Sequence, residues 1–195
     1  MTDEPTFARL VSLACHDLRT PLATVNGFAR TLERTVQLDQ PADRYVEMIV
    51  AAAAQLAELL DELSLVARIE AGRYDPHLQA ADSLQIAQGC VERLGADRVT
   101  VEGRGADVLV DIQPTERGVS ALVQALLRHG GLDEVQVHVQ GADLGVAPVT
   151  ESSAKVVLGQ DLRDLGAACA VRLIDRLGGE VAVEGSVLRI RLPRP

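Results

Sequence analysis

Apolar residues recur every three or four positions along the first 36 residues. Because an α-helix turns about 100° per residue, this spacing places them all on one side of a single helix. The pattern predicts one long amphipathic helix from about Thr6 to Val36. The residues of this stripe are Phe7, Val11, Ala14, Leu18, Leu22, Val25, Ala29, Leu32 and Val36.

A second apolar series follows the turn signal at 39–41, where Pro41 suits the first turn of a helix. Its spacing alternates between four and three, as in a heptad seam. It predicts a helix ending at Ala71, with Gly72 as its C-terminal cap. Two such helices form a hairpin that exposes too much apolar surface alone, so we expect two copies to pair as a four-helix bundle. The seam residues are Tyr45, Ile49, Ala52, Leu56, Leu59, Leu63 and Val66.

Beyond residue 72 the pattern changes. A polar connector is expected over 73–82, followed by alternating helix and strand periods. Helices are predicted over 83–94, 114–129 and 161–177, and strands over 99–101, 107–112, 135–139, 144–149, 181–184 and 187–192. This order indicates helices packed on a mixed sheet. The predicted fold is therefore a dimerising helical hairpin (1–72), a linker (73–82) and a small α/β sandwich (83–195).

Composition narrows the functional classes. Of the 195 residues, 47% are hydrophobic but only 2% are aromatic, so we expect a globular chain with an aliphatic core. The net charge of −9 argues against nucleic acid or an anionic membrane surface as a partner. No apolar run approaches the roughly 18 residues of a membrane span, and the acidic N-terminus is unlike a signal peptide.

The cysteines predict neither a metal site nor a disulfide framework. Cys15, Cys90 and Cys169 are far apart and have no metal-ligand spacing. A reduced, cytoplasmic protein is the expected setting.

One short segment carries the candidate chemistry. On the predicted first helix, His16 and Thr20 lie one turn apart on the side away from the apolar stripe, with Asp17 beside them. Pro21 removes the helical donor to the carbonyl of Asp17 and is expected to bend the helix there. An exposed histidine on a kinked helix would account for a His-Asp pair alone, but not for the whole segment.

The segment His16-Asp17-Leu18-Arg19-Thr20-Pro21-Leu22 resembles the phosphoacceptor box of sensor histidine kinases. The ending Ile69-Glu70-Ala71-Gly72 resembles the end of that family's dimerisation hairpin. The resemblance implies that His16 exchanges a phosphoryl group with an aspartate on a response-regulator receiver domain, which brings its own Mg²⁺. It also implies that Asp17 orients the imidazole, and that Thr20 orients a hydrolytic water in the reverse, phosphatase reaction.

The second domain resembles the ATP-binding domain of the same family, most clearly over 161–192. The family's second glycine box begins Gly-Leu-Gly-Leu, but here Asp164 replaces the first glycine and only Gly166 remains. Ala121 and Ala125 stand where the family has two asparagines, one of which binds magnesium. The family's adenine-binding box is also missing. The most similar segment, 143–146, looks more like a turn into a strand. Residues 144–161 are too few for the family's ATP lid.

These features favour a dimeric histidine phosphotransferase whose nucleotide domain has lost its ATP site and serves as a scaffold. We expect no tightly bound cofactor and no useful ATP binding. An active ATP-dependent kinase, or a fragment of one, is the first alternative, and a non-catalytic adaptor is the second. Only fifteen residues precede His16. The chain is therefore either a fragment or takes its input from an upstream sensor or hybrid kinase.

Overall fold

The computed structural model describes residues 4–35 and 39–195. The chain divides into two compact units, Met1–Tyr74 and Asp75–Pro195. The predicted end of the first helix at Val36 and part of the predicted turn lie outside the described residues.

The first unit is the predicted helical hairpin, made of α1 (Glu4–Thr35) and α2 (Ala42–Glu70). The second helix ends at Glu70 with Ala71 as its cap, one residue before the predicted end. Gly72 follows the cap, adopts a left-handed φ of +64° and donates its N–H to the carbonyl of Ile69. Glycine accepts this conformation without the steric cost that a Cβ imposes.

Small residues make the contact between the two helices. On each helix the buried positions recur every three or four residues or multiples of that spacing, as expected for one face of a helix. They are Ala8, Cys15 and Ala29 on α1 and Val46, Ala53 and Ala67 on α2. Such side chains allow the helix axes to approach closely, and they leave the larger apolar residues elsewhere.

The larger apolar residues of both helices are exposed within the single chain. Most of the α2 seam predicted from its heptad spacing lies here, one position along from the face that touches α1. The exposed side chains include Phe7, Leu18, Val25, Phe28, Leu32, Tyr45, Ile49, Leu56, Leu59 and Leu63. This unpartnered apolar face is much larger than isolated surface leucines produce.

The second unit is a mixed sheet covered by helices on one face. Its five strands lie in the order β2 (Val99–Gly105), β4 (Val135–Gly141), β5 (Asp143–Ala147), β7 (Val187–Arg191) and β6 (Glu180–Glu184). Only β2 and β4 are parallel, and the other pairs are antiparallel. The predicted final hairpin is confirmed, with Gly185 at its turn at φ +60°. A separate antiparallel pair joins β1 (Gln79–Asp82) to β3 (Asp107–Val110).

Four helices accompany the sheet: α3 (Ser83–Leu94), α4 (Ile112–Gly130), α5 (Glu151–Val157) and α6 (Leu165–Arg176). Alternate residues of the central strands, such as Val137, Leu144 and Ile190, are buried with α4 and α6 in one aliphatic core. The fold class predicted from the sequence, a helical hairpin followed by a small mixed α/β domain, is confirmed.

Several element boundaries differ from the prediction. The expected connector over 73–82 is wrong at its end, because Gln79–Asp82 forms β1. The strand expected over 107–112 stops at Val110, since Asp111 precedes α4 and its carbonyl accepts the Thr115 hydroxyl and amide. The third predicted helix begins at Leu165 rather than 161, because Asp164 caps it.

The region 144–161 also differs from the prediction, which placed a strand over 144–149 and no helix between this strand and 161. The strand ends at Ala147, and a short helix, α5, follows Thr150. Thr150 and Ser153 form reciprocal side-chain and backbone contacts of the capping-box type. Ser153, Val156 and Val157 are all buried. These 18 residues therefore contain a packed helix in place of an open loop.

Candidate functional site

Helix α1 exposes the imidazole of His16. Its side chain is 78% exposed, whereas the preceding residue, Cys15, is 1% exposed against α2. Because successive helical residues differ by about 100°, the small-residue contact of the hairpin turns His16 toward solvent. The ring therefore lies on the exposed side of α1.

Asp17 contacts His16 directly. The Nδ1 atom of His16 lies 3.1 Å from Oδ1 of Asp17, and Asp17 is itself 69% exposed. An ionised carboxylate can only accept a hydrogen bond, so Nδ1 must carry the proton. In the neutral ring the lone pair is then on Nε2. The geometry therefore leaves Nε2 as the nucleophilic nitrogen.

Thr20 and Pro21 follow on the same helix. Thr20 is exposed one turn beyond His16, so the two side chains share a face. The helix continues through Pro21. Since proline has no N–H, the carbonyl of Asp17 lacks its helical partner, beside the histidine. The structure thus brings the three predicted site residues, His16, Asp17 and Thr20, to one exposed region of α1.

An ion pair that the sequence did not reveal anchors this region to α2. Nη2 of Arg19 lies 2.6 Å from Oδ1 of Asp61, and both side chains are about half exposed. Arg19 is three residues from His16, whereas Asp61 is 42 residues further along the chain. No local spacing signals a pair so distant. Arg19 therefore adds a polar link between the helices next to the candidate site.

Cys15 is unsuited to reaction despite its position beside His16. Burial raises the pKa of the Cys15 thiol, and the nearby Arg19 guanidinium offsets this only in part. A buried thiol with a raised pKa is a poor nucleophile. The residue therefore belongs to the packing of the hairpin.

In the second unit, the positions that correspond to the family's ATP site lie in the middle of α4 and at the start of α6. Ala125 is fully buried in the aliphatic core, and Ala121 is half-buried one turn earlier. Asp164 caps α6: its Oδ1 accepts the N–H of Ala167 at 3.0 Å, and its Oδ2 lies 3.0 Å from Nε2 of His129.

Asp143, in the nearest relic of an adenine box, lies elsewhere. It is the first residue of strand β5, one residue before the predicted start of that strand. Its neighbours Leu144 and Val146 are buried under the helices, so Asp143 points to the opposite face of the sheet. There its Oδ1 accepts a hydrogen bond from Nε of Arg191 at 3.1 Å.

Residues 8–72 match the family model of the His Kinase A (phospho-acceptor) domain. This range contains all of α2 and all but the first four residues of α1, with His16, Asp17 and Thr20.

The first unit carries a His Kinase A (phospho-acceptor) domain.

Longer relatives and solved structures are also similar to this chain. Histidine protein kinase DivJ of Caulobacter vibrioides is 26% identical over 224 residues, covering 95% of this chain and 37% of DivJ. Full-length ShkA in complex with AMPPNP has a TM-score of 0.68 at 18% identity, covering 93% of this chain and 44% of ShkA. The ATP-binding domain of PrrB from Mycobacterium tuberculosis has a TM-score of 0.50 at 19% identity, covering 61% of this chain and 98% of that domain.

The histidine kinase relatives are longer proteins. The chain spans between 6% and 37% of the length of the curated relatives that it matches.

Among residues 4–35 and 39–195, no helix is long and apolar enough to cross a membrane. Within the same described ranges, no group of three acidic, histidine or cysteine side chains is arranged to hold a metal ion.

Proposed function

We propose that this chain is a dimeric histidine phosphotransferase, exchanging a phosphoryl group between His16 and the aspartate of a response-regulator receiver domain. The observation that carries the proposal is the exposed His16 imidazole, held by Asp17 with Nε2 free. A receiver domain brings the phosphoryl group and its own Mg²⁺, so this chain must supply only a positioned nucleophile.

The transfer step needs no chemical group from the second unit. The Nε2 lone pair attacks the phosphorus of the receiver's aspartyl phosphate, forming a P–N bond as the P–O bond to the aspartate breaks. The aspartate leaves as a carboxylate. Positive charge develops on the ring, and Asp17 stabilises it through the Nδ1 proton. Thr20, one turn away, is placed to orient a water if the phosphohistidine is hydrolysed.

The second unit does not fit a magnesium–nucleotide ligand, although nucleotide and Mg²⁺ binding are expected of the family's ATP-binding domains. Alanine has no oxygen for a hard cation, and Ala125 is sealed in the core. The carboxylate of Asp164 occupies the start of α6, where phosphate oxygens would otherwise accept backbone N–H bonds. Asp143 faces the other side of the sheet. These features support phosphoryl transfer that does not begin with ATP.

The exposed apolar face of the hairpin supports the dimer. A second hairpin offers the same row of large side chains, and two copies bury both rows in a four-helix bundle.

The test is transfer from receiver domains. A panel of purified receivers is labelled with radioactive acetyl phosphate and mixed with the full chain. We expect acid-labile label on the chain, lost in His16→Gln and retained in His77→Gln, which removes an exposed histidine of the second unit. Label that survives in His16→Gln would refute the assignment of His16.

A further inference from the structure

Two helix ends meet at a carboxylate in the second unit. The last turn of α4 carries Arg128 and His129, and α6 begins directly after Asp164. We call these three side chains the Asp164 cluster. His129 and Asp164 are only 16% and 11% exposed, whereas Arg128 lies at the surface.

Both oxygens of the Asp164 carboxylate are engaged. Oδ1 accepts the N–H of Ala167 at 3.0 Å, within the first turn of α6. Oδ2 lies 3.0 Å from Nε2 of His129 and 3.6 Å from Nη1 of Arg128. A helix N-terminal N–H, an imidazole and a guanidinium are groups with which proteins hold a phosphate. Here they hold a side chain of the same chain.

The cluster also joins the start of α5. Oγ of Ser152 donates a hydrogen bond to the carbonyl of His129 at 2.8 Å. The ends of three helices are therefore fixed around Asp164. A phosphate placed at the start of α6 would have to displace this carboxylate and would be repelled by it.

We infer that Asp164 is a built-in substitute for an anionic ligand: its carboxylate holds the ends of α4 and α6 together and closes this place to phosphate groups. The inference rests on the proposed function, because it gives the reason why the second unit does not use ATP. It goes further in assigning a stabilising role to Asp164, which from the sequence alone indicates only the loss of a glycine.

The experiment measures binding of inorganic tripolyphosphate to the full chain, by calorimetry and by the shift of the thermal unfolding midpoint. Asp164→Ser keeps an N-cap acceptor but frees the space and removes the charge. We expect the Kd of tripolyphosphate to be at least about ten-fold lower for this variant than for the native chain. Tripolyphosphate should also raise the thermal unfolding midpoint of Asp164→Ser but not that of the native chain. A second substitution, His129→Gln, should remove the gain.

Asp161→Ser is the matched control. Asp161 lies in the same loop and pairs with Arg163 at 2.7 Å, so its replacement removes one negative charge without opening the start of α6. Equal binding by the Asp161 and Asp164 variants would overturn the inference, as would native binding as tight as that of Asp164→Ser. If Asp164→Ser unfolds, Asp164→Asn is used. If tripolyphosphate raises the unfolding midpoint of neither Asp164→Ser nor Asp164→Asn, the inference is wrong.

These outcomes are independent of the proposed function. Tripolyphosphate binding does not involve His16, and transfer from a receiver does not involve the Asp164 cluster. A chain that accepts label at His16, while Asp164→Ser shows no gain in binding, would refute the substitute-ligand role alone.

Discussion

At the scale of residues, the candidate site depends on one contact between neighbours. His16 and Asp17 are both largely exposed, so their pairing is not enforced by burial. An exposed pair of this kind contributes little to stability. The pair instead selects the tautomer of His16, because a proton held on Nδ1 leaves the lone pair of Nε2 available to attack.

Asp17→Asn tests that role. The amide can also donate a hydrogen bond, so it no longer selects the tautomer and cannot offset the charge on the phosphorylated ring. We expect transfer from a phosphorylated receiver to slow by about 10²-fold, the lower end for a group assisting proton movement. Labelling reactions quenched at successive times measure the rate of this transfer. Glu58→Gln, an exposed change on α2, should leave it unaltered, and an undiminished rate in Asp17→Asn would argue against the role.

At the scale of elements, the hairpin shows what the sequence could and could not predict. Apolar spacing predicted both helices and placed the end of α2 within one residue of Glu70, because the period of a helix does not depend on which surface its apolar side packs against. It did not separate the face within the chain from the face left exposed. The α2 seam predicted from heptad spacing holds large residues, Tyr45 and Leu56 among them. The contact with α1 is made one position along from this seam by small residues such as Ala53.

The second unit shows the same limit in another form. The sequence did not predict helix α5 because its seven residues are too few to show a period, and because Ser153 stands where a capping box usually has Glu or Gln. Strand β1 was missed because Gln79–Asp82 contains only two alanines as apolar residues, and its formation depends on pairing with β3. The Asp164–His129 contact joins positions 35 residues apart, so only the fold brings them together.

Ala53→Leu tests the close contact of the two helices. Ala53 is 3% exposed, so a larger side chain must push α1 and α2 apart. Overpacking of this kind costs about 1–3 kcal/mol. Urea unfolding should show that loss, whereas Ala54→Leu, at an exposed position of the same helix, should change the free energy of unfolding by less than about 0.5 kcal/mol. Equal effects at both sites would contradict the assigned contact face.

At the scale of the whole molecule, the account requires two copies. The face formed by the large apolar residues of α1 and α2 has no partner within the described part of the chain. A continuous row of this kind is typical of an interface, and a twofold pair of hairpins gives each row an identical partner. In such a bundle each copy presents its own His16, so one dimer offers two acceptor sites.

Leu56→Asp should break the dimer. The leucine is 51% exposed in the single chain, and in the bundle an aspartate there would be buried without a partner. Light scattering at micromolar concentration should give twice the 20.8 kDa chain mass for the native protein and the chain mass for the variant. Ala54→Asp adds the same charge on the outer side of α2 and should remain dimeric. A native monomer would refute the dimer.

The central claim is that phosphate reaches His16 from a receiver domain and not from ATP. It is tested most directly by one labelling assay with two phosphate sources. The native chain is incubated in parallel with γ-labelled ATP plus Mg²⁺ and with a receiver labelled by acetyl phosphate, and acid-labile label on the chain is counted. We predict label from the receiver alone. Label from ATP without a receiver, absent in His16→Gln, would contradict this account and establish an active kinase.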